Sequence, residues 1–466
     1  MAKRKVLKIT PILVTLNILV LFGIAGFYTY RLVKYYKLQN GNKDEVALLA
    51  DTIIKKRSFL DETTGLVLNE EDNTYRYKGE VKDNYIYYSG MYYRILGIDK
   101  DGNVRAISEE NVTLMYPGFD NGYKDSYINK WLNSSETKNS GIFESALYGS
   151  DSLIVKSYFC SDSVSDAENI TCDDNTTDYK ITLLSLYDYK EAGGKSSFLN
   201  NGKEFSLGTL DDKNNAYYVT ESGEITQHQR QNIAVLIRPV ITIKGDSELK
   251  DGNGSLDKPY IIEKHEVEVI SDAYVGSYVS INDELYRIVN ISDDKVLIVK
   301  SDVLMENEKE VLRKFDGEDN IYNPSVGIGK YLNKTYLNTL SFKDNLVKGD
   351  FYTGLLSLDS YDYAKVKDSS VKAKIGMLTM GDMFINEKYN VLTTLRGIEA
   401  TDIIYVLSEN GYFFGDTLTS KYNVRPALYL KDDIEITEGN GTKEDAYILK
   451  IEEPKEETNT ENKVEE

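Results

Sequence analysis

Cysteine and histidine are nearly absent: the 466-residue chain contains two of each. Two cysteines cannot build a disulfide-dense miniprotein or a multi-cysteine metal cluster. Two histidines leave little material for zinc ligation or for a histidine general base. Basic residues are also in deficit, 55 against 75 acidic ones, giving a formal charge of −20. Such a surplus repels phosphate backbones, and no basic patch offsets it, so nucleic acid is not an expected partner. Tryptophan occurs once, against 37 tyrosines and 14 phenylalanines. What is present is a hydrophobic fraction of 41%, enough to fill real cores and to exclude a wholly disordered chain. The length suits about three domains or two large ones.

Ile9 to Tyr30 form a 22-residue stretch without charge. As a helix it would extend roughly 33 Å, about the depth of a bilayer core. Pro11 falls in its first turn, where proline is tolerated. Tyr28 and Tyr30 stand at its far end, where amphipathic rings favour the interface. Lys3, Arg4, Lys5 and Lys8 precede it, and Arg31, Lys34 and Lys37 follow. This narrow majority places the N-terminus in the cytoplasm and the bulk of the chain outside it. A cleaved signal peptide is the alternative, but its apolar core would be shorter and end in small residues. The expectation is therefore an uncleaved, single-pass membrane anchor. Lys43 to Arg57 carry apolar residues at Val46, Leu49, Ile53 and Ile54, near helical spacing, and read as a stalk helix.

The rest of the chain is written twice. Tyr85-Ile86 through Ile98 align without a gap on Tyr278-Val279 through Ile291. Lys130-Trp131-Leu132-Asn133 align on Lys330-Tyr331-Leu332-Asn333. Leu184-Ser185-Leu186 with Asp188 align on Leu378-Thr379-Met380 with Asp382, and Ile237-Arg238-Pro239-Val240 on Val424-Arg425-Pro426-Ala427. Each copy closes on Gly-Asn-Gly-Ser/Thr, at Gly252 and Gly439, followed by Tyr260-Ile261-Ile262 or Tyr447-Ile448-Leu449. Blocks in one order at nearly constant offset indicate duplication rather than chance.

Each copy opens with strand-like runs around a polar turn, at Asp101-Gly102 or Asp293-Asp294-Lys295. Ile128, Trp131 and Leu132 recur at helical spacing. Pro239 and Pro426 should open a strand or lie on an edge. The expected fold class is α+β: an N-terminal transmembrane helix, then two homologous α+β domains with twisted, mainly antiparallel sheets. The expected boundaries are 1–38 for cytoplasmic stub and anchor, 39–81 for stalk helix and linker, 82–263 for the first repeat, 264–274 for a linker and 275–450 for the second repeat. The glutamate-rich segment 451–466 reads as a disordered acidic tail.

Tyr75-x-Tyr77-Lys78-Gly79, Asn84-Tyr85-Ile86, Ser89-Gly90, Tyr93-Arg94-Ile95 and Asp101-Gly102-Asn103-Val104 resemble the opening of a family of uncharacterised, membrane-anchored surface proteins of low-GC Gram-positive bacteria. Val424-Arg425-Pro426-Ala427-Leu428, Gly439-Asn440-Gly441-Thr442 and Tyr447-Ile448 are similar to that family's ending. The resemblance spans both repeats and implies a surface location, with no catalytic residues to carry over. The Arg-Pro ending is more weakly similar to C-type-lectin-like and formylglycine-generating-enzyme-like domains. The latter use a copper-binding cysteine pair, and the second copy here has no cysteine, which counts against that activity.

Cys160 and Cys172 lie in a polar loop and read as a disulfide staple, worth about 3 kcal/mol in the chain-entropy model. His228 and His265 fall on polar segments read as exposed, without counterparts in the other copy. Arg238 with Asp188, and Arg425 with Asp382, read as buried ion pairs, because a desolvated guanidinium needs a planar acceptor; a grip on an anionic ligand is the sharper alternative. Arg94 and Arg287 read as exposed on alternating strands. Asp99, Asp101 and Asn103 resemble part of a calcium loop, but glycine stands fourth rather than sixth, so a hairpin turn is the better reading. Asp316-Gly317-Glu318-Asp319 could hold calcium loosely; no other cofactor is expected. Tyr85, Tyr87, Tyr88, Tyr92 and Tyr93 form the densest tyrosine cluster. The first, second, third and fourth of these offer a ligand surface for glycan or another surface protein, against the plainer reading that they fill core and strand surface. No carboxylate pair stands out by spacing for glycoside cleavage.

The reading that results is a non-enzymatic, membrane-anchored surface protein with a binding or envelope-structural role. A carboxylate-dependent hydrolase of cell-envelope glycan is the alternative. An enzyme should present a deep cleft lined by acids of raised pKa in at least one repeat, a binding module shallow aromatic-lined surfaces and no such cleft. The two thiols should resist maleimide in the native protein and label fully only after reduction, read as a mass shift; ready labelling without reductant would contradict the staple.

Overall fold

The computed structural model describes Thr29 and residues 46–451, apart from 59–60, 62, 71, 134–140, 161–162, 165–169, 171, 173–178, 228–233, 293, 317–319, 355–369, 386–389, 397–401 and 410–412. The apolar run 9–30 (Thr29 apart), His228, most of the Asp316 loop and residues 452–466 of the acidic tail thus lie outside the described residues. Among those described, no helix is long and apolar enough to cross a membrane.

The α+β expectation is corrected by the element content. Strands predominate among the described residues, and no α-helix there exceeds six residues. The physical reason lies in what ends each helix. Tyr127–Leu132 starts on a Ser126 side chain that accepts from Asn129 N, and stops at Asn133, whose side chain is committed elsewhere. Asn133 donates through Nδ2 to Ile181 O (2.9 Å) and accepts from Ile181 N (3.0 Å). A short helix thereby serves as a clip on a strand rather than as a packing layer. Asn333 does the same to Ile375, donating to its carbonyl at 2.8 Å and accepting from its N–H at 3.1 Å. There the α-turn Gly327–Lys330 runs on into a π-helical stretch, Tyr331–Tyr336.

Two seven-stranded sheets form the frame. In the first, the order is Gly65–Asn69, Thr74–Lys78, Met91–Ile98, Val104–Ser108, Pro239–Ile243, Ile181–Leu183, with Tyr85–Tyr88 also paired to Met91–Ile98. In the second it is Ile375–Met377, Pro426–Lys431, Lys295–Lys300, Glu284–Ser292, Tyr278–Ile281, Tyr447–Leu449, Ile436–Glu438. Five strands therefore follow one order in both sheets, and both carry an irregularity at the same place, Ile95/Gly97 and Ile288/Asn290. Both Arg-Pro segments open a central strand at proline, where the missing N–H breaks no ladder. The leading hairpins turn on Ser89-Gly90 (φ 50° and 77°) and Asn282-Asp283 (φ 52° and 64°), both residues left-handed as a tight two-residue hairpin requires.

The sheets differ at one edge. Gly65–Asn69 and Thr74–Lys78, within the stretch read as stalk and linker, extend the first sheet. Thr74–Lys78 passes so close that a Cβ on Gly97 would stand 1.9 Å from Tyr75 O. Residue 290, the aligned position in the second sheet, is an exposed asparagine. The stalk helix is short, Leu49–Ile54, and buries Leu49, Ala50 and Ile53, with Leu49 N donating to Ser247 O at 2.9 Å.

Burial overturns the strand alternation used for Arg94 and Arg287. Met91–Ile98 is covered on both faces, and the two arginines are only 5% and 8% exposed. Arg94 donates to Asn84 Oδ1 (2.7 Å) and Val81 O (2.6 Å) and lies over the Tyr85 ring.

The ion-pair partners also differ from expectation. Arg238 is 0% exposed; its Nε donates to Ser108 O (2.9 Å), its Nη1 to Leu199 O (3.0 Å), and Glu109 stands 3.8 Å from Nη2. Arg425 donates likewise to Lys300 O (2.7 Å) and Phe384 O (3.1 Å). Asp188 belongs to Arg105, with two parallel bonds of 3.1 and 2.8 Å. Burial raises the Asp188 carboxyl and Arg105 more than offsets it, leaving the pKa below the ordinary carboxylate range. Replacing Asp188 by alanine should cost about 3–5 kcal/mol in denaturant unfolding near neutral pH, because Arg105 is left buried and unpaired. A depressed folded-state pKa means that the stabilisation exists above the unfolded pKa of about 4 and vanishes as pH falls through the folded value. The gap between wild type and variant should accordingly close in acid.

Candidate functional site

The two halves meet along a joint made partly of main chain. Gly381 N donates to Leu114 O (3.2 Å) and Phe384 N to Val112 O (2.6 Å). Thr113 Oγ1 donates to Asp382 O at 2.8 Å, and Trp131 Nε1 to Gly381 O at 2.9 Å. Arg287 crosses to Glu110 at 2.6 Å and lies 3.6 Å from the Phe384 ring centroid. Phe384 is left-handed, φ 59°, which is rare for a bulky residue and is held by its surroundings. Gly90 packs against the linker so closely that a Cβ there would stand 2.8 Å from Tyr274 Cβ.

Two clefts flank this joint. The first, of about 650 Å³, is lined by Tyr85, Tyr87, Tyr92, Tyr278, Arg287 and Glu110, among others. The rings of Tyr87 and Tyr92 meet edge to face, 5.0 Å between centroids. Burial raises the Glu110 carboxyl, but Arg287 outweighs it and holds the pKa below the ordinary value. Burial raises Tyr87 far above the usual phenol range. Three of the four tyrosines singled out as a ligand surface thus share this cleft. Tyr88 does not: it is 0% exposed, and its hydroxyl donates to Tyr148 O. Its alternate position along Tyr85–Tyr88 turns it into the core.

The second cleft, of about 790 Å³, is lined by Tyr148, His265, Tyr274, Tyr352, Tyr429 and Asp382, among others. Thr379 N donates to Asp382 Oδ2 at 2.7 Å. Burial raises this carboxyl to about 7 against that bond. His265 is partly buried rather than exposed: its Nε2 pairs with Asp272 O at 2.8 Å, and its ring lies 4.9 Å from that of Tyr148. Behind the wall, burial lifts Glu263 to about 7, with Ser89 N donating to it.

The remaining candidates have structural places. Cys160 and Cys172 are disulfide-bonded. Asp99 accepts from Asp101 N (3.0 Å) and Asn103 N (2.8 Å), a turn held by its own carboxylate. Among the described residues no group of three or more His, Cys, Asp or Glu is arranged to hold a metal ion. Sequence reasoning missed Arg105, Glu110 and Phe384. Arg105 had a legible signal, since it stands on a repeated strand where the other copy has Leu297.

No protein-family model, no curated protein and no solved structure matches the chain.

Trp131, the sole tryptophan, is 0% exposed within the joint and is therefore its reporter. Its emission should be blue-shifted and poorly quenched by acrylamide. Phe384→Ala, which strips the ring from beneath Arg287, should cost about 3–5 kcal/mol and move quenching toward that of an exposed indole; unchanged quenching in the variant would contradict this account of the joint.

Proposed function

We propose that the chain is a non-catalytic binding protein of the cell surface, anchored at the membrane by the apolar run 9–30 with its bulk extracytoplasmic. The binding surface in this reading is the tyrosine-lined cleft shared by both halves, and the ligand a glycan or another surface protein. One observation carries the reading. Tyrosines remote in sequence, Tyr85, Tyr87 and Tyr92 in one half and Tyr278 in the other, converge around the Arg287–Glu110 pair. Tyrosine presents stacking area and a hydroxyl at low entropic cost, and a charged pair beside it can orient hydroxyl-bearing partners.

The hydrolase alternative is favoured by one feature, Asp382, whose carboxyl at about 7 would suit a general acid.

The full chain in lipid nanodiscs, screened against cell-wall glycans and surface proteins, tests both readings. A bound partner should lose about tenfold in affinity on Tyr92→Ala, roughly 1.4 kcal/mol, without any turnover. Glycan cleavage that Asp382→Asn abolishes would instead select the hydrolase, and binding indifferent to Tyr92 would move the surface elsewhere.

A further inference from the structure

The two halves contain the same cleft in two states. In the first half, Leu96, Gly97, Ile98, Arg105 and Asp188 line a cavity of about 300 Å³. The aligned residues of the second half, Val289, Asn290, Ile291, Leu297 and Asp382, line the cavity of about 790 Å³. The strand registers confirm the correspondence. Arg105 stands opposite Thr242, three residues after Pro239, and Leu297 opposite Tyr429, three residues after Pro426. In the first half Arg105 fills the space and forms its two parallel bonds with Asp188, while Thr74–Lys78 narrows the opening. In the second half leucine replaces the arginine. Asp382 keeps its place, and among the described residues no lysine or arginine pairs with it. The carboxylate is retained, the space is enlarged, and the cation is missing.

We propose that the second-half cleft binds a guanidinium group supplied from outside, an arginine side chain of a partner polypeptide, which takes the place that Arg105 occupies in the first half. A planar guanidinium matches a carboxylate with two parallel bonds, as Arg105 does, whereas an ammonium does not. Tyr148, Tyr274, Tyr352 and Tyr429 supply ring faces and edges on which a guanidinium can also stack. The acidic surplus of the chain favours approach of a cation. This goes beyond the binding reading above and stands on a different cleft.

The raised Asp382 carboxyl gives the proposal a pH signature. Asp382 must lose its proton to pair, so binding should tighten as pH rises through about 7 and should release a proton. The other titratable groups facing the cleft are Asp272, His265 and Tyr274 on the linker, Tyr148 from the first half, Asp350 and Tyr352 on the neighbouring strand, and Tyr429. Glu263 lies behind Tyr274.

Isothermal titration of the full chain with N-acetyl-arginine amide, its lysine analogue and its neutral citrulline analogue tests the assignment. Arginine should bind at least about tenfold tighter than the other two, with affinity rising up to about tenfold per pH unit below neutrality. Asp382→Asn should abolish the preference and the pH slope; in His265→Gln the pH slope should persist, whatever the change in affinity. Leu297→Arg should fill the cleft from within, eliminate binding and raise the thermal midpoint. Trp131 emission reports that each variant is folded. Equal binding of citrulline or lysine, a slope that follows His265, or undiminished binding by folded Leu297→Arg would each overturn the proposal.

Discussion

The structure depends on guanidinium groups buried against main-chain carbonyls. Arg238 and Arg425 each stand one residue before the proline that opens a central strand. Each donates one bond to the end of an adjacent strand and one to a segment beyond it, Leu199 O or Phe384 O. A charge so deeply desolvated needs partners for its donors: carbonyls meet Nε and Nη1 of each arginine at fixed points, and Nη2 of Arg238 has Glu109 at 3.8 Å. The arrangement ties the strand that organises each sheet to the loop that packs over it. In the second half that loop residue is Phe384, so the same bond network that closes the sheet also shapes the joint.

The joint follows from this. Phe384 is held by Arg425 through its carbonyl, presents its ring to Arg287, and passes its N–H to Val112 of the other half. The clefts on either side take their walls from both halves because the halves approach to hydrogen-bonding distance there. Their chemistry diverges. One gathers tyrosines around a matched charge pair; the other sets a carboxyl in the wall of the larger cavity. The duplicated frame explains how this difference arises: one residue on a repeated strand, arginine in one copy and leucine in the other, decides whether the carboxylate is satisfied internally.

Much of the frame was legible in the sequence because the repeated blocks are points of contact. The Arg-Pro pairs, Asn133 and Asn333, and the glycine-rich closures recur where side chains bind backbone, and such positions leave a local signature. Helical content was overestimated because six residues of correct spacing look like the start of a longer helix, and nothing nearby shows that Asn133 will clip a strand instead. Arg94 and Arg287 were misplaced because alternation signals one covered face, whereas these strands are covered on both. Arg105 stood out against Leu297 of the other copy, but its pairing with Asp188 was not readable, for a different reason. Arg105 lies 83 residues away and meets it only through sheet register. Of the candidate site, the tyrosine cluster was readable as composition, but the convergence of Tyr278 with it was not, since it depends on how the halves abut.

Phe384 sets a limit on how far the joint could be refined. Glycine would relax its left-handed backbone but remove the ring under Arg287; asparagine would tolerate the backbone yet offer no face for stacking. The bulky aromatics keep the backbone penalty, and histidine, easier in that region, brings a smaller and more polar ring. The position is a standing compromise in which local conformational comfort is surrendered for cohesion between the halves.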